Sequence, residues 1–248
     1  MNIIEKVNRS RYTLKEVLST EWDTSVVPDL SNQEIEKIYS IQSSSISPFP
    51  GVAAGCNFTL QHKLIPSHTL HIIYYNFPEV GKVSSKVTKA ACDKLEEYYN
   101  SETVKKEDSL FVIINDTVSE SLEKSFDALN IKLQNNFEGD LSKEIVDEMK
   151  INDFPLEKKH FRNVHLFGID SFTNNLLKHR LVPKHTAIRS KKDIQNILDK
   201  CNCNPSQLPI ILKNDIISKL IRLTSGDLCE IQRNSDKCGE YPFYRICK

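Results

Sequence analysis

Apolar positions in the first half of the chain recur with two alternating periods. Over 9–20, Tyr12, Leu14, Val17 and Leu18 fall on one side of a 3.6-residue helix. A second amphipathic run, after Leu30-Ser31-Asn32, puts Ile35, Ile38 and Tyr39 on one stripe. Residues 43–55 hold Ser43-Ser44-Ser45, Pro48, Pro50, Gly51 and Gly55, the composition of a loop. Residues 58–60 and 70–75 read as strands, the second apolar enough to be central. A helix is predicted over 83–99, with Val87, Ala90, Ala91, Lys94 and Leu95 turned inward. Leu110-Phe111-Val112-Ile113-Ile114 is an unbroken apolar run, as found in a strand covered on both faces of a parallel sheet. Thr117-Val118-Ser119-Glu120 then caps a helix carrying Leu122, Phe126 and Leu129. Strand, helix, strand, helix at this spacing predicts an open sheet with a βαβ unit.

Residues 135–161 are less regular. They contain Gly139, a helix-like run over 142–149, Asp153-Phe154-Pro155 and Glu157-Lys158-Lys159, and read as a connector. Residues 163–167 form a candidate strand leading into a compact C-terminal module. There, residues 177–182 alternate as a strand would, with Leu177, His179 and Leu181 on one face and Lys178, Arg180 and Val182 on the other, until Pro183 ends it. Ser190-Lys191-Lys192-Asp193 resembles a capping box ahead of Ile194, Ile197 and Leu198, an amphipathic helix. Pro205 and Pro209 bracket a loop. Asn214 or Asp215 can cap a short helix with Ile216, Ile217, Leu220 and Ile221 on its apolar side. After the turn Ser225-Gly226-Asp227, residues 228–233 and 241–247 predict a hairpin around a polar connection.

In this module the order and spacing of His179, Leu181, Val182, Pro183, His185, Leu208, Pro209, Asp215, Gly226, Ile231, Arg233, Ser235, Gly239, Tyr241, Tyr244 and Arg245 resemble a known family. It is that of the fifth-largest, shared subunit of eukaryotic RNA polymerases, which is similar to the archaeal RNA polymerase H family. The chain departs from the family's usual Asp-Pro at Asp215-Ile216, and has Ile210 where an Arg commonly follows Leu-Pro. A weaker likeness, by element order and Asn76-Phe77-Pro78-Glu79, extends over residues 8–135 to the N-terminal domain of the eukaryotic versions. The resemblance implies an α/β (α+β) protein. It would have an N-terminal open mixed sheet with helices, a restriction-nuclease-like jaw domain, over 1–135. A connector over 136–162 and a small C-terminal α/β domain with a terminal hairpin over 163–248 would follow.

Charge is balanced at 33 basic against 33 acidic residues. Its distribution is not: residues 160–248 carry 15 Lys/Arg and 8 Asp/Glu, and residues 1–159 carry 18 and 25, so the two parts suit different partners. Lys178, Arg180, Lys184, Arg189, Lys191 and Lys192 fall in one stretch with no acid among them. This is either a solvated face or a basic patch for docking on an acidic protein surface, with DNA a further alternative. Seven scattered cysteines and an N-terminus without an apolar run fit a reducing compartment. No segment approaches the roughly 20 apolar residues of a membrane span.

Metal binding and catalysis are the competing chemistries. Cys201-x-Cys203, Cys229, Cys238 and Cys247 do not form paired C-x-x-C knuckles, and His179 and His185 read as structural. A nuclease needs several carboxylates and a Lys around a divalent metal. Asp29 precedes a helix, Glu157-Lys158-Lys159 falls in the connector, and Asp116 follows its strand without a Glu-x-Lys. No Gly-rich phosphate loop is present.

The expectation is therefore a non-catalytic subunit of a DNA-directed RNA polymerase, with no cofactor, metal, membrane or small-molecule substrate. Its partners, as the resemblance implies, are the largest subunit and other polymerase subunits. Residues His179, Leu181, Val182, Pro183, His185, Leu208, Pro209, Gly226, Arg233, Tyr244 and Arg245 would dock it. The N-terminal domain would meet downstream duplex DNA through weak, sequence-independent contacts. A nuclease, or a scaffold outside polymerase, is the alternative. A Lys-, Asn- and Ile-rich chain with Ile216 points to a large DNA virus, hence a virion and cytoplasmic viral factory, against a protist nucleus.

Overall fold

The computed structural model describes all residues except 42–48, 85, 236 and 238. Ser43-Ser44-Ser45, Pro48 and Cys238 therefore lie outside the described residues. The chain divides into two compact units, one of residues 1–148 and 161–175 and the other of 149–160 and 176–248.

The first unit is built on a four-stranded sheet of β1 (Phe58–Gln61), β2 (Thr69–Tyr75), β3 (Ser109–Ile114) and β4 (Val164–Gly168), in that spatial order. β1 runs antiparallel to β2, whereas β2, β3 and β4 are parallel. Every residue of β3 is buried, as its unbroken apolar run predicts for a strand covered on both faces. Each parallel pair is joined by a helical crossover, the connection such a pair requires. These helices are α3 (Ala90–Asn100) between β2 and β3, and α4 (Glu120–Asn135) and α5 (Lys143–Ile151) between β3 and β4. Leu95, Tyr99, Leu122, Phe126 and Leu129 pack with Val112 and Leu166 in one core.

α1 (Ile3–Leu18) and α2 (Asn32–Tyr39) precede the sheet. α1 starts earlier than predicted because Asn2 accepts the Ile4 N–H as its N-cap, and Tyr12, expected to be inward, is 52% exposed. Ser31 and Glu34 form a full capping box on α2, and Ile35 and Tyr39 are buried. Ser119 caps α4 by accepting the Leu122 N–H.

Two expectations here are corrected. The helix predicted over 83–99 begins only at Ala90, and Ala90 and Lys94 are exposed rather than inward. Ahead of it Ser84 accepts a 2.6 Å bond from the Asn115 side chain and Val83 is 94% exposed, while Val87 packs against the core as expected but outside a helix. The strand predicted over 163–167 exists, as β4, but it pairs with β3 in the first sheet instead of leading into the second.

The second unit has its own four-stranded sheet. Its strands are β5 (Lys184–Ile188), β6 (Ile210–Ile211), β7 (Leu228–Ser235) and β8 (Gly239–Cys247), in the order β5-β7-β8-β6. β5, β7 and β8 pair antiparallel, and β6 runs parallel to β8. Helix α6 (Lys191–Cys201) and the short helix α7 (Ile216–Leu220) complete it. Ile211, Leu223, Cys229, Ile231 and Cys247 form its small core. The hairpin is the predicted one, with longer strands.

The strand predicted over 177–182 is not there. Residues Leu176–Lys178 form a 3-10 turn, and the edge strand runs after Pro183 instead of before it. Proline ends a central strand but is tolerated at the start of an edge strand, so the same residue fits either side of the boundary. α6 forms as predicted, yet the Ser190 side chain makes no cap hydrogen bond.

Candidate docking surface

The segment His179 to His185 is a turn that feeds the sheet edge. The His179 carbonyl accepts the Val182 N–H at 2.8 Å, and its ring Nδ1 accepts the Leu181 N–H at 3.3 Å. The bend throws Leu181 outward, 75% exposed, with Val182 and Pro183 half-buried behind it. His185 then donates from Nδ1 to the Pro183 carbonyl at 2.7 Å. Burial pulls the His185 imidazole below its ordinary value of 6.5, against the opposing effect of that bond.

Pleating sorts the sheet positions onto two faces. His185, Ile231 and Phe243 lie directly across three strands, with Ala187, Cys229 and Arg245 in the next row and Arg233 beyond, opposite Tyr241. The Arg233 guanidinium sits 3.9 Å from the Phe243 ring centre, and that of Arg245 5.7 Å from it. Arg245 also donates to the Ile210 carbonyl at 3.1 Å, tying β6 to β8. The opposite face carries Glu230 across from Tyr244, whose hydroxyl is raised by burial and then by the adjacent carboxylate. Leu208 is half-buried and Pro209 exposed, and Ile210 and Leu212 beyond them are 47% and 65% exposed.

Gly226 and Asp227 form a turn in which the glycine is exposed and the aspartate buried. Gly226 takes φ +89°, a conformation that favours glycine, and its N–H donates to the Cys247 carbonyl. The Asp227 carboxylate is wholly buried and accepts from His160 Nε2 at 3.0 Å, from the Lys159 ammonium at 3.0 Å, and from both the N–H and hydroxyl of Thr224 at 2.9 Å. His160 Nδ1 in turn accepts the Glu157 N–H at 2.9 Å, a pattern that suits an Nε2-protonated ring. Burial alone would raise the Asp227 carboxyl; the His160 hydrogen bond, the Thr224 N–H and Lys159 outweigh it and hold the group below its usual range. The sequence offered Asp227 only as a turn residue and left His160 in a connector.

The basic stretch divides. Lys178, Arg180, Lys184, Lys191 and Lys192 are exposed, but Arg189 is buried and donates to the Ile221 carbonyl at 2.6 Å, which takes it out of any surface patch. Among the described residues no group of His, Cys, Asp and Glu is arranged to hold a metal ion, and no helix is long and apolar enough to cross a membrane. Asp116 bonds the Thr117 N–H, and Glu157 lies 3.5 Å from Lys191. Cys247 and Cys229 are buried, their thiols raised by burial to about 12 and about 11, so neither is a ready nucleophile.

This unit is similar in sequence to known proteins. Residues 174–247 match the family model described as RNA polymerase Rpb5, C-terminal domain. The chain is 39% identical over 72 residues to DNA-directed RNA polymerase subunit Rpo5 of Pyrococcus horikoshii, covering 29% of this chain and 87% of that protein. It is 40% identical over 67 residues to the subunit of the same name in Nitrosopumilus maritimus, covering 27% and 80%. It is also 34% identical over 73 residues to the Dictyostelium discoideum DNA-directed RNA polymerases I, II, and III subunit rpabc1, covering 29% of this chain and 36% of that one. The turn before β5, the Gly226-Asp227 turn and the β7–β8 hairpin all fall inside the matched span.

Proposed function

The chain belongs to the RNA polymerase Rpb5 family, and on that premise we propose how this subunit of a DNA-directed RNA polymerase is used. Its second unit docks on the largest subunit through the turn at 179–183 and the outer strand β5. Its first unit forms part of a jaw near downstream duplex DNA. The observation that carries the docking reading is Leu181. A bulky aliphatic side chain held 75% exposed by a hydrogen-bonded turn, beside a strand paired on one side only, fits the apolar anchor of an interface better than it fits free solvent. β5 adds ladder groups that a partner strand can extend, and Lys178, Arg180 and Lys184 supply steering charge around it.

Affinity purification of the tagged chain from the cells that make it, with mass spectrometry of its partners, tests this. Recovery of the two largest polymerase subunits in near-equal amounts is expected. Leu181→Asp should cut that recovery about tenfold or more while leaving the thermal midpoint unchanged, since the side chain supports nothing inside its own unit. Undiminished recovery would move the docking surface elsewhere. For the jaw, any DNA contact of the net-acidic first part should be local, backbone-directed and abolished by moderate salt.

A further inference from the structure

Within the first unit a cleft of about 580 Å³ opens beside the C-terminal end of α3, in the size range of small-ligand pockets. Its floor is buried: Tyr99, Val104, Glu107, Phe137 and Arg162. Arg162 is 6% exposed, and its Nε has no hydrogen-bond partner. The guanidinium lies against two rings, 4.8 Å from the centre of Tyr99 and 5.7 Å from that of Phe137. Ring contacts satisfy its charge but not its Nε–H, and a buried donor left unbonded is costly. The backbone around it is fixed. Arg162 N–H donates to the Glu107 carbonyl at 3.2 Å, and the Phe161 carbonyl accepts from Gln134 at 2.7 Å.

The nearby charges narrow what such a fork can take. Glu107 is already engaged by the Ser142 N–H at 3.1 Å and the Lys106 ammonium at 3.3 Å, and Lys106 also donates to the Asp140 carbonyl. At the exposed rim the three carboxylates of Glu102, Glu138 and Glu144 outnumber Lys105 and Lys106, the latter already engaged by Glu107. A rim of that sign repels a polyanion such as a nucleotide or a nucleic-acid backbone, and attracts an amine.

We propose that this cleft binds a small zwitterion, its carboxylate on the Arg162 guanidinium and its ammonium group among the rim glutamates. A planar guanidinium held against rings is pre-set for a two-bond contact with a planar carboxylate. The aromatic and aliphatic floor suits a short alkyl body between the two charges. Neither docking nor DNA contact is involved, so the site stands or falls independently of them.

The full-length chain, labelled with nitrogen-15, supplies the readout, since the Arg162 Nε–H signal is identified by its loss in Arg162→Lys. Four probes are compared: 6-aminohexanoate, hexanoate, 1-aminohexane and pyrophosphate. The expected result is a saturable shift of the Nε–H signal with 6-aminohexanoate, a weaker one with hexanoate by roughly threefold to tenfold, and none with 1-aminohexane. Arg162→Lys should weaken 6-aminohexanoate about tenfold or more, followed on the remaining amide signals. Because that change is buried, Glu102→Gln/Glu138→Gln/Glu144→Gln at the exposed rim gives an independent reading: it should erase the preference for 6-aminohexanoate over hexanoate. An Nε–H signal unmoved by either carboxylate, tighter binding of pyrophosphate, or a preference that survives the rim change would overturn the proposal.

Discussion

A carboxylate with no exposed surface, held by His160, Lys159 and Thr224, ties the Gly226-Asp227 turn to a segment 67 residues upstream. Removing one member of a buried charged set leaves the others unpaired, so Asp227→Ala should destabilise the second unit by about 3 kcal/mol, read from chemical denaturation. The folded Asp227 titrates below its ordinary 3.8, so its stabilisation is present above that pH and is lost as pH falls through the folded value. His185 acts in a higher window. Its folded value lies below 6.5, so the unfolded chain binds the proton more readily and stability declines as pH falls from about 6.5 through the folded value. His185→Gln should flatten that upper slope and leave the acid transition below pH 4 in place. Arg189 and Lys192 provide a contrast within one basic stretch. Arg189→Ala strands the Ile221 carbonyl and should cost about 2 kcal/mol, whereas Lys192→Ala should stay within about 0.5 kcal/mol. Sequence could not separate the two, because a buried arginine and a solvated lysine read alike until the carbonyl each meets is known.

At the scale of elements, legibility followed how much of each signal was local. The start of α2 beside Ser31, the Ser119 cap of α4 and the five-residue apolar run of β3 are written in adjacent residues, and each formed where expected. The errors share a different cause. Residues 177–182 alternate like a strand, but the His179 carbonyl closes a turn on Val182, and only pairing with β7 decides that the strand starts after Pro183. β6 is two residues long and exists because Ile210 and Ile211 lie beside β8, far off in sequence. α6 offers an element-level test. It ends at Asn202 in the left-handed conformation, φ +46°, where glycine is better suited. Asn202→Gly should therefore raise stability by a few tenths of a kcal/mol, visible as a small increase in the unfolding midpoint.

For the whole molecule, the family was readable because its signature is a spaced set over one module, whereas the cleft around Arg162 was not. Tyr99, Glu107, Phe137 and Arg162 come from separate stretches of the chain, and no motif joins them. The opposed charges of the two parts give a further test of docking. Lys178→Glu/Arg180→Glu/Lys184→Glu, all exposed, should weaken capture of the largest subunit about tenfold at low salt and make the remainder insensitive to ionic strength, with no change in folding.

The path of the backbone, from the first unit into the second, back, and out again, governs how the protein is made. As the ribosome delivers the chain, 149–160 emerges early but waits for Asp227 to appear before His160 has a partner. β4 can close the first sheet while that segment still lacks its own. The second sheet is filled last from its middle, since β8 lies between β7 and β6 and follows both in synthesis. Nascent chains halted before β8 should thus carry a protease-resistant first unit and an open second one. The second unit, which we propose docks on the partner, then becomes competent only once β8 has been translated.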